Sequence, residues 1–138
     1  MAFRLQYMLL ADSVQAIDQG KLNILGIFDQ VVARQVPTRH PSVVLVALLV
    51  AQTEDELGEH QFSIRVMRPN GKQVSETGTR MKIVPQPGPW PLATVRIVIG
   101  MRELPLREYG RHSVQLLVDG QLVGEHPLNV VPPPQSAA

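Results

Sequence analysis

The chain has 138 residues, a size that fits one domain with its own core and leaves no room for a second. Apolar residues make up 44% and charged ones 18%, a globular mixture, and thirteen Lys or Arg against twelve Asp or Glu leave a net charge of +1 in no long block, which argues against nucleic acid and anionic lipid as partners. Cysteine is absent, which excludes disulfides, thiolate nucleophiles and cysteine-ligated metal centres.

Residues 3–11 read as a first strand. Their uninterrupted apolar stretch is residues 7–11, shorter than the roughly 7–15 residues of a secretory leader and far below the roughly 20 of a membrane span, so a cytoplasmic location without membrane contact is expected. Residues 12–20 are a polar connection in which 13–18 fit a helical turn. Residues 21–33 read as one long strand or two, and the apolar phase slips at Gly26, where a bend is placed because glycine inside a strand marks a bulge or a close backbone approach. Pro37 and Pro41 end this segment by removing ladder donors.

The run at 43–51 is the most hydrophobic of the chain, and nine residues suit a strand. After an acidic loop at 54–59, residues 61–68 alternate, with Phe62, Ile64 and Val66 inward and Ser63, Arg65 and Met67 outward. Asn70-Gly71 turns the chain into a polar edge strand at 73–79, and a short strand follows at 81–84. Four prolines between 85 and 91 forbid helix and ladder alike. Residues 93–101 alternate again, placing Val95, Ile97, Ile99 and Met101 inward and Arg96 outward, and 102–110 read as a loop. Asp119-Gly120 then joins two apolar-rich runs, and both residues accept the positive φ angles of a type I′ hairpin turn, in which Val118 pairs with Gln121. Seven or eight short strands with regular turn signals indicate an all-β, two-sheet antiparallel sandwich of immunoglobulin-like type over residues 1–131, followed by a flexible proline-rich tail at 132–138. A closed barrel is the alternative.

The phrase Leu9-Leu10-Ala11-Asp12, followed by Gly20-Lys21-Leu22-Asn23-Ile24-Leu25-Gly26-Ile27-Phe28-Asp29 and then by Pro37, His40 and Pro41, resembles the opening of a family of bacterial proteins of unknown function. Tyr109-Gly110 and the Asp119-Gly120 hairpin are similar to that family's ending. The resemblance implies a small β domain in a bacterial cytoplasm and carries no activity, cofactor or site residue.

Candidate chemistry is sparse. His40, His60, His112 and His126 invite a metal reading, but the hairpin register sets His112 opposite Pro127 and His126 opposite Ser113, so the two diverge to opposite faces. His40, His60 and His126 sit in loop-like contexts that suit solvated or capping roles. Asp12 and Asp29 suit strand-end chemistry, and Glu54, Asp55, Glu56 and Glu59 suit a solvated hairpin tip, with no calcium-loop spacing. No serine occupies a nucleophile elbow and no glycine-rich phosphate loop exists. Catalytic, cofactor-binding and metal-binding residues are therefore assigned to none.

The sharper signal lies at 43–51, where both faces are apolar. Val43, Leu45, Ala47, Leu49 and Ala51 line one, and Val44, Val46, Leu48 and Val50 the other. Full burial of each Val or Leu is worth about 1.5–3 kcal/mol, so the second face needs a cover: a helix at 13–18, the proline loop, or a second copy of the chain. Val44, Val46, Leu48 and Val50 are thus candidate interface residues, together with Trp90, which the prolines frame as either a lid or a rigid docking element. A non-catalytic module binding a protein partner or itself is the first functional expectation. The second is a small-molecule carrier with an apolar pocket among Phe28, Phe62, Ile97 and Leu116. An unrecognised hydrolase or metalloenzyme is the third.

Overall fold

The computed structural model describes residues 3–88 and 91–134. Nine strands form in chain order: β1 Arg4–Ala16, β2 Leu22–Phe28, β3 Gln30–Val32, β4 Thr38–Ala51, β5 Gly58–Met67, β6 Gln73–Ile83, β7 Ala93–Leu106, β8 Gly110–Val118 and β9 Gln121–Val131. They make two sheets, one ordered β2-β1-β4-β7 and the other β3-β9-β8-β5-β6. This is the expected two-sheet sandwich of immunoglobulin-like type, with open edges rather than a closed barrel.

The alternating segments fill the space between the sheets. Phe62, Ile64 and Val66 of β5, Val95, Ile97, Ile99 and Met101 of β7, and the odd positions of β4 from Val43 to Ala51 are all buried, as the period-two pattern requires. Leu10 of β1 and Val114, Leu116, Leu128 and Val130 of the final hairpin complete this core.

Several boundaries differ from the sequence reading, each for a physical reason. The stretch 21–33 divides at Asp29 rather than at Gly26, because β2 and β3 belong to different sheets and the chain changes sheet at that residue. Its carbonyl accepts the Asn129 N–H at 2.8 Å, which starts the pairing of β3 with β9. That pair is parallel, the one departure from the antiparallel expectation. The helical turn placed at 13–18 is instead strand through Ala16, followed by a 3₁₀ turn at Asp18–Gly20. Pro41 does not end a segment. It lies inside β4, in a gap of the ladder between the pairs His40 with Leu104 and Ser42 with Arg102, where its missing N–H costs no bond. Glu103 faces this gap with φ 51°, and β7 runs on to Leu106 through residues read as a loop.

Gly26 keeps a local role as a contact point. It stands opposite Asp12 in the β1–β2 pairing with φ 71°, and a Cβ built there would lie 2.8 Å from the Asp12 Cγ. Up to Ala11, β1 pairs with β4; beyond it only β2 accompanies the chain. The β1–β2 hairpin past this point turns back across the sandwich. Leu48 pairs with both Tyr7 and Arg96, so Arg96 lies level with Tyr7. A straight hairpin would hold Gly20 about 30 Å from that level at roughly 3.3 Å per residue, yet Arg96 Nη1 donates to the Gly20 carbonyl at 2.5 Å.

Gly26→Ala is expected to lower the unfolding free energy by about 1–3 kcal/mol, through left-handed backbone on a residue with a Cβ and through the collision with Asp12. Asp12→Ala in the same chain should return the part due to the collision. Urea unfolding of the three variants measures both shares, and an unchanged midpoint for Gly26→Ala would remove this residue as the bend.

Candidate functional site

The predicted interface strand β4 occupies the middle of the four-stranded sheet, so its second set of side chains points away from the core, onto the outer face. There Val46 is 0% exposed and Val50 is 7% exposed, while Val44 and Leu48 are half-buried. These four residues therefore do not form an open docking surface. Leu9 and Val98 flank Val46 on the neighbouring strands, and the folded-back β1–β2 hairpin is the element positioned to cover it. The hairpin is held over this sheet by the bond from Arg96 to the Gly20 carbonyl. Trp90 lies outside the described residues.

What stays open on this sheet is its margin. Leu25 and Ile27 on β2 are 60% and 63% exposed, Val98 on β7 is 43% exposed and Tyr7 on β1 is 38% exposed. Leu25 and Ile27 face Ser13 and Ala11 of β1 and belong to the terminal strand of the sheet, whose other side pairs with nothing among the described residues. The sequence of β2, Leu-Asn-Ile-Leu-Gly-Ile-Phe, contains no charge and no proline.

No group of three or more His, Asp or Glu that could bind a metal ion occurs among the described residues. The histidines are nevertheless placed differently from the sequence reading. An extra residue in β9 shifts the register near Leu116, so His112 faces Leu128 and Val114 faces His126. His112 and His126 therefore share a face instead of diverging. Glu56 is also not a solvated tip residue: it is 1% exposed, and its Oε1 accepts from the backbone N–H groups of Gln52 and Thr53 at 2.8 and 3.0 Å, closing the 3₁₀ turn Glu54–Glu56. Of the four residues proposed to line an apolar pocket, Phe62, Ile97 and Leu116 are buried in the core and Phe28 is half-buried against it.

His60 is the functional-looking group that the sequence reading placed in a loop. It sits in β5, 7% exposed, with its ring edge-on to Phe3 at a centroid distance of 5.3 Å. Its Nδ1 lies 2.6 Å from Asp119 Oδ2, and Asp119 Oδ1 accepts the Gln61 N–H at 2.9 Å. The Asp119 N–H in turn donates to the Gln61 carbonyl at 2.8 Å. The type I′ turn, with φ 50° at Asp119 and 82° at Gly120, is thereby fastened to the neighbouring strand by three bonds. Burial opposes a charge on His60, but the hydrogen bond and negative charge of Asp119 outweigh it and raise the imidazole pKa above its ordinary value. The Gln61 N–H, and then His60, hold the Asp119 carboxyl below its ordinary value. The pair fastens the final hairpin to β5 as a structural clasp.

A model of DUF6941, a family of unknown function, matches residues 6–131. No curated protein matches the sequence. Among solved structures the chain is similar to the alkylpurine DNA glycosylase AlkC of Pseudomonas fluorescens bound to DNA containing an abasic site analog, at 10% identity and a TM-score of 0.53, over 94% of this chain and 30% of that one. It is also similar to an immunoglobulin-like protein from Pseudomonas aeruginosa, at 14% identity and a TM-score of 0.44, over 94% of this chain and 97% of that one. The likeness to the glycosylase shows the fold alone, and the chain spans under a third of that protein's length. No helix among the described residues is long and apolar enough to cross a membrane.

The clasp sets a pH dependence. His60, with its pKa raised, contributes stability that is complete below about pH 6.5 and lost as pH rises through its folded value. Asp119, with its pKa lowered, contributes stability present above about pH 4 and lost as pH falls through its folded value. The pair therefore supports the fold most between about pH 4 and 6.5. In Asp119→Asn this band should vanish from a series of urea midpoints against pH. The His60 pKa read by NMR should drop in that variant, because burial is then opposed by no carboxylate; an unmoved His60 titration would dismiss the clasp.

Proposed function

We propose that this chain, which belongs to DUF6941, a family of unknown function, is a non-catalytic interaction module that pairs with a second copy of itself through β2. The observation that carries this reading is the composition of that edge. A terminal strand exposes a row of backbone donors and acceptors, and proteins blunt such edges with charge, proline, brevity or a covering element. The other three edges follow the rule: β6 carries Glu76, Arg80 and Lys82, β7 carries Arg96, Arg102, Glu103 and Pro105, and β3 has three residues. β2 has seven residues, none charged, with two large aliphatic side chains more than half exposed.

Antiparallel pairing of β2 with its copy across a two-fold axis satisfies both rows of backbone groups and brings Leu25 and Ile27 of each protomer together. Burying each such side chain is worth about 1.5–3 kcal/mol when it was fully exposed before, and here the starting exposure is near 60%. The interface lies in the same sheet as β4, the strand that the sequence singled out, separated from it by β1, and leaves the buried Val46 in its place. The DNA in the glycosylase structure finds no counterpart in the charge of this chain, which is +1 with its basic residues dispersed.

Light scattering at high micromolar concentration is expected to give twice the 15.3 kDa chain mass. Ile27→Lys should restore the single-chain mass with little change in melting temperature, since the residue is 63% exposed. A wild-type chain that stays monomeric, or a dimer that survives Ile27→Lys, would overturn the proposal. Val46→Asp does not serve this purpose, because it would place a charge at a fully buried position.

A further inference from the structure

The two outer faces of the sandwich differ in kind. Where the outer face of the four-stranded sheet is apolar, that of the five-stranded sheet carries a row of polar residues directly opposite one another: Glu125 and Gln115, Gln115 and Arg65, Arg65 and Glu76. The row is bonded. Arg65 Nε donates to Gln115 Oε1 at 2.8 Å, and Gln115 Nε2 donates to Glu125 Oε2 at 2.9 Å. Beside it runs a groove of about 320 Å³ whose lining includes Arg68, Arg111, Ser113, Gln115 and Glu125.

Within that groove the donors outnumber their acceptors. Arg68 spends Nε on Glu108 Oε1 at 2.7 Å, but the Arg111 guanidinium, whose charge reaches Glu125, makes no hydrogen bond among the described residues. The Ser113 hydroxyl is buried against Glu125 and helps to hold that carboxyl ionised. Guanidinium groups present a planar fork matched to the two oxygens of a carboxylate.

We propose that this groove binds a single carboxylate group through Arg111 and Arg68. Glu125 sets the specificity. It is kept ionised first by the Gln115 hydrogen bond, then by Ser113, and by the charge of Arg111, so every negative charge in the groove meets repulsion, and a multiply charged group meets more of it than one carboxylate does. That arrangement disfavours a phosphate chain and suits a ligand with one carboxylate and an uncharged or donor-bearing remainder. Two sources carry that chemistry, a free organic acid and the C-terminus of a peptide. The site lies on the five-stranded sheet, so it stands or falls apart from the β2 pairing on the other sheet.

The test is a backbone-amide NMR titration with three probes: acetate, tri-alanine with a free C-terminus, and its C-terminal amide. Saturable shifts centred on Arg68, Arg111, Ser113 and Gln115 are expected with the free carboxylate and not with the amide. Shifts from acetate as well as the peptide assign the source to free acids, and shifts from the peptide alone assign it to C-termini; both support the site. Arg111→Gln should weaken binding about tenfold, whereas Glu125→Gln should tighten it and admit inorganic phosphate. Shifts that do not saturate, that persist unchanged in Arg111→Gln, or that the amide reproduces would overturn the assignment.

Discussion

A strand that is apolar on both faces can meet water on neither, and β4 is such a strand. One face is satisfied in the ordinary way of a sandwich, against the opposing sheet. The other holds Val46 fully buried, and on this side β1 and β2 run beyond their partners into a hairpin whose tip Arg96 holds through the Gly20 carbonyl. The rest of the four-stranded sheet follows from this. β1 needs thirteen residues where seven of its positions pair with β4, and Gly26 lies opposite Asp12, the first residue past the last of those pairs. It also explains why the exposed apolar side chains sit at the margin of the sheet and not at its centre.

Much of the architecture was legible because it is local or periodic. The alternation in β5 and β7 named their buried residues, and Asp119-Gly120 named its turn, since positive φ at two successive positions is a property of the residues themselves. The failures concern pairings between distant segments. Nothing near Asp29 announces a change of sheet; the signal is Asn129, a hundred residues away. The one-residue offset in the last hairpin reverses the relation of His112 and His126, and no local motif marks it. Pro41 was read as a terminator because proline removes a donor, but a gap in the ladder makes that loss harmless.

The candidate sites were legible to a smaller degree. The sequence identified the doubly apolar strand and the need for a cover, yet the order β2-β1-β4-β7 decides that β4 is central and β2 terminal. An uncharged strand is unremarkable until it is known to be an edge. His60 looked like a loop residue because Gly58, Glu59 and His60 are polar or small, and its partner Asp119 lies 59 positions on. The polar groove combines β5, β8 and β9 and has no linear signature.

The parallel pairing of β3 with β9 has a consequence for the order in which the protein can assemble. A chain emerging from the ribosome at about 5–20 residues per second has made β3 many seconds before the strand that completes it. β3 has only three residues and no neighbour other than β9, and the clasp on Gln61 likewise waits for Asp119. The first sheet can close once β7 has been made, but the second must remain unfinished until the last strand arrives. Folding of this domain is therefore governed by contacts of long sequence separation, which places it among the slow-folding β topologies and makes it dependent on an intact C-terminal strand.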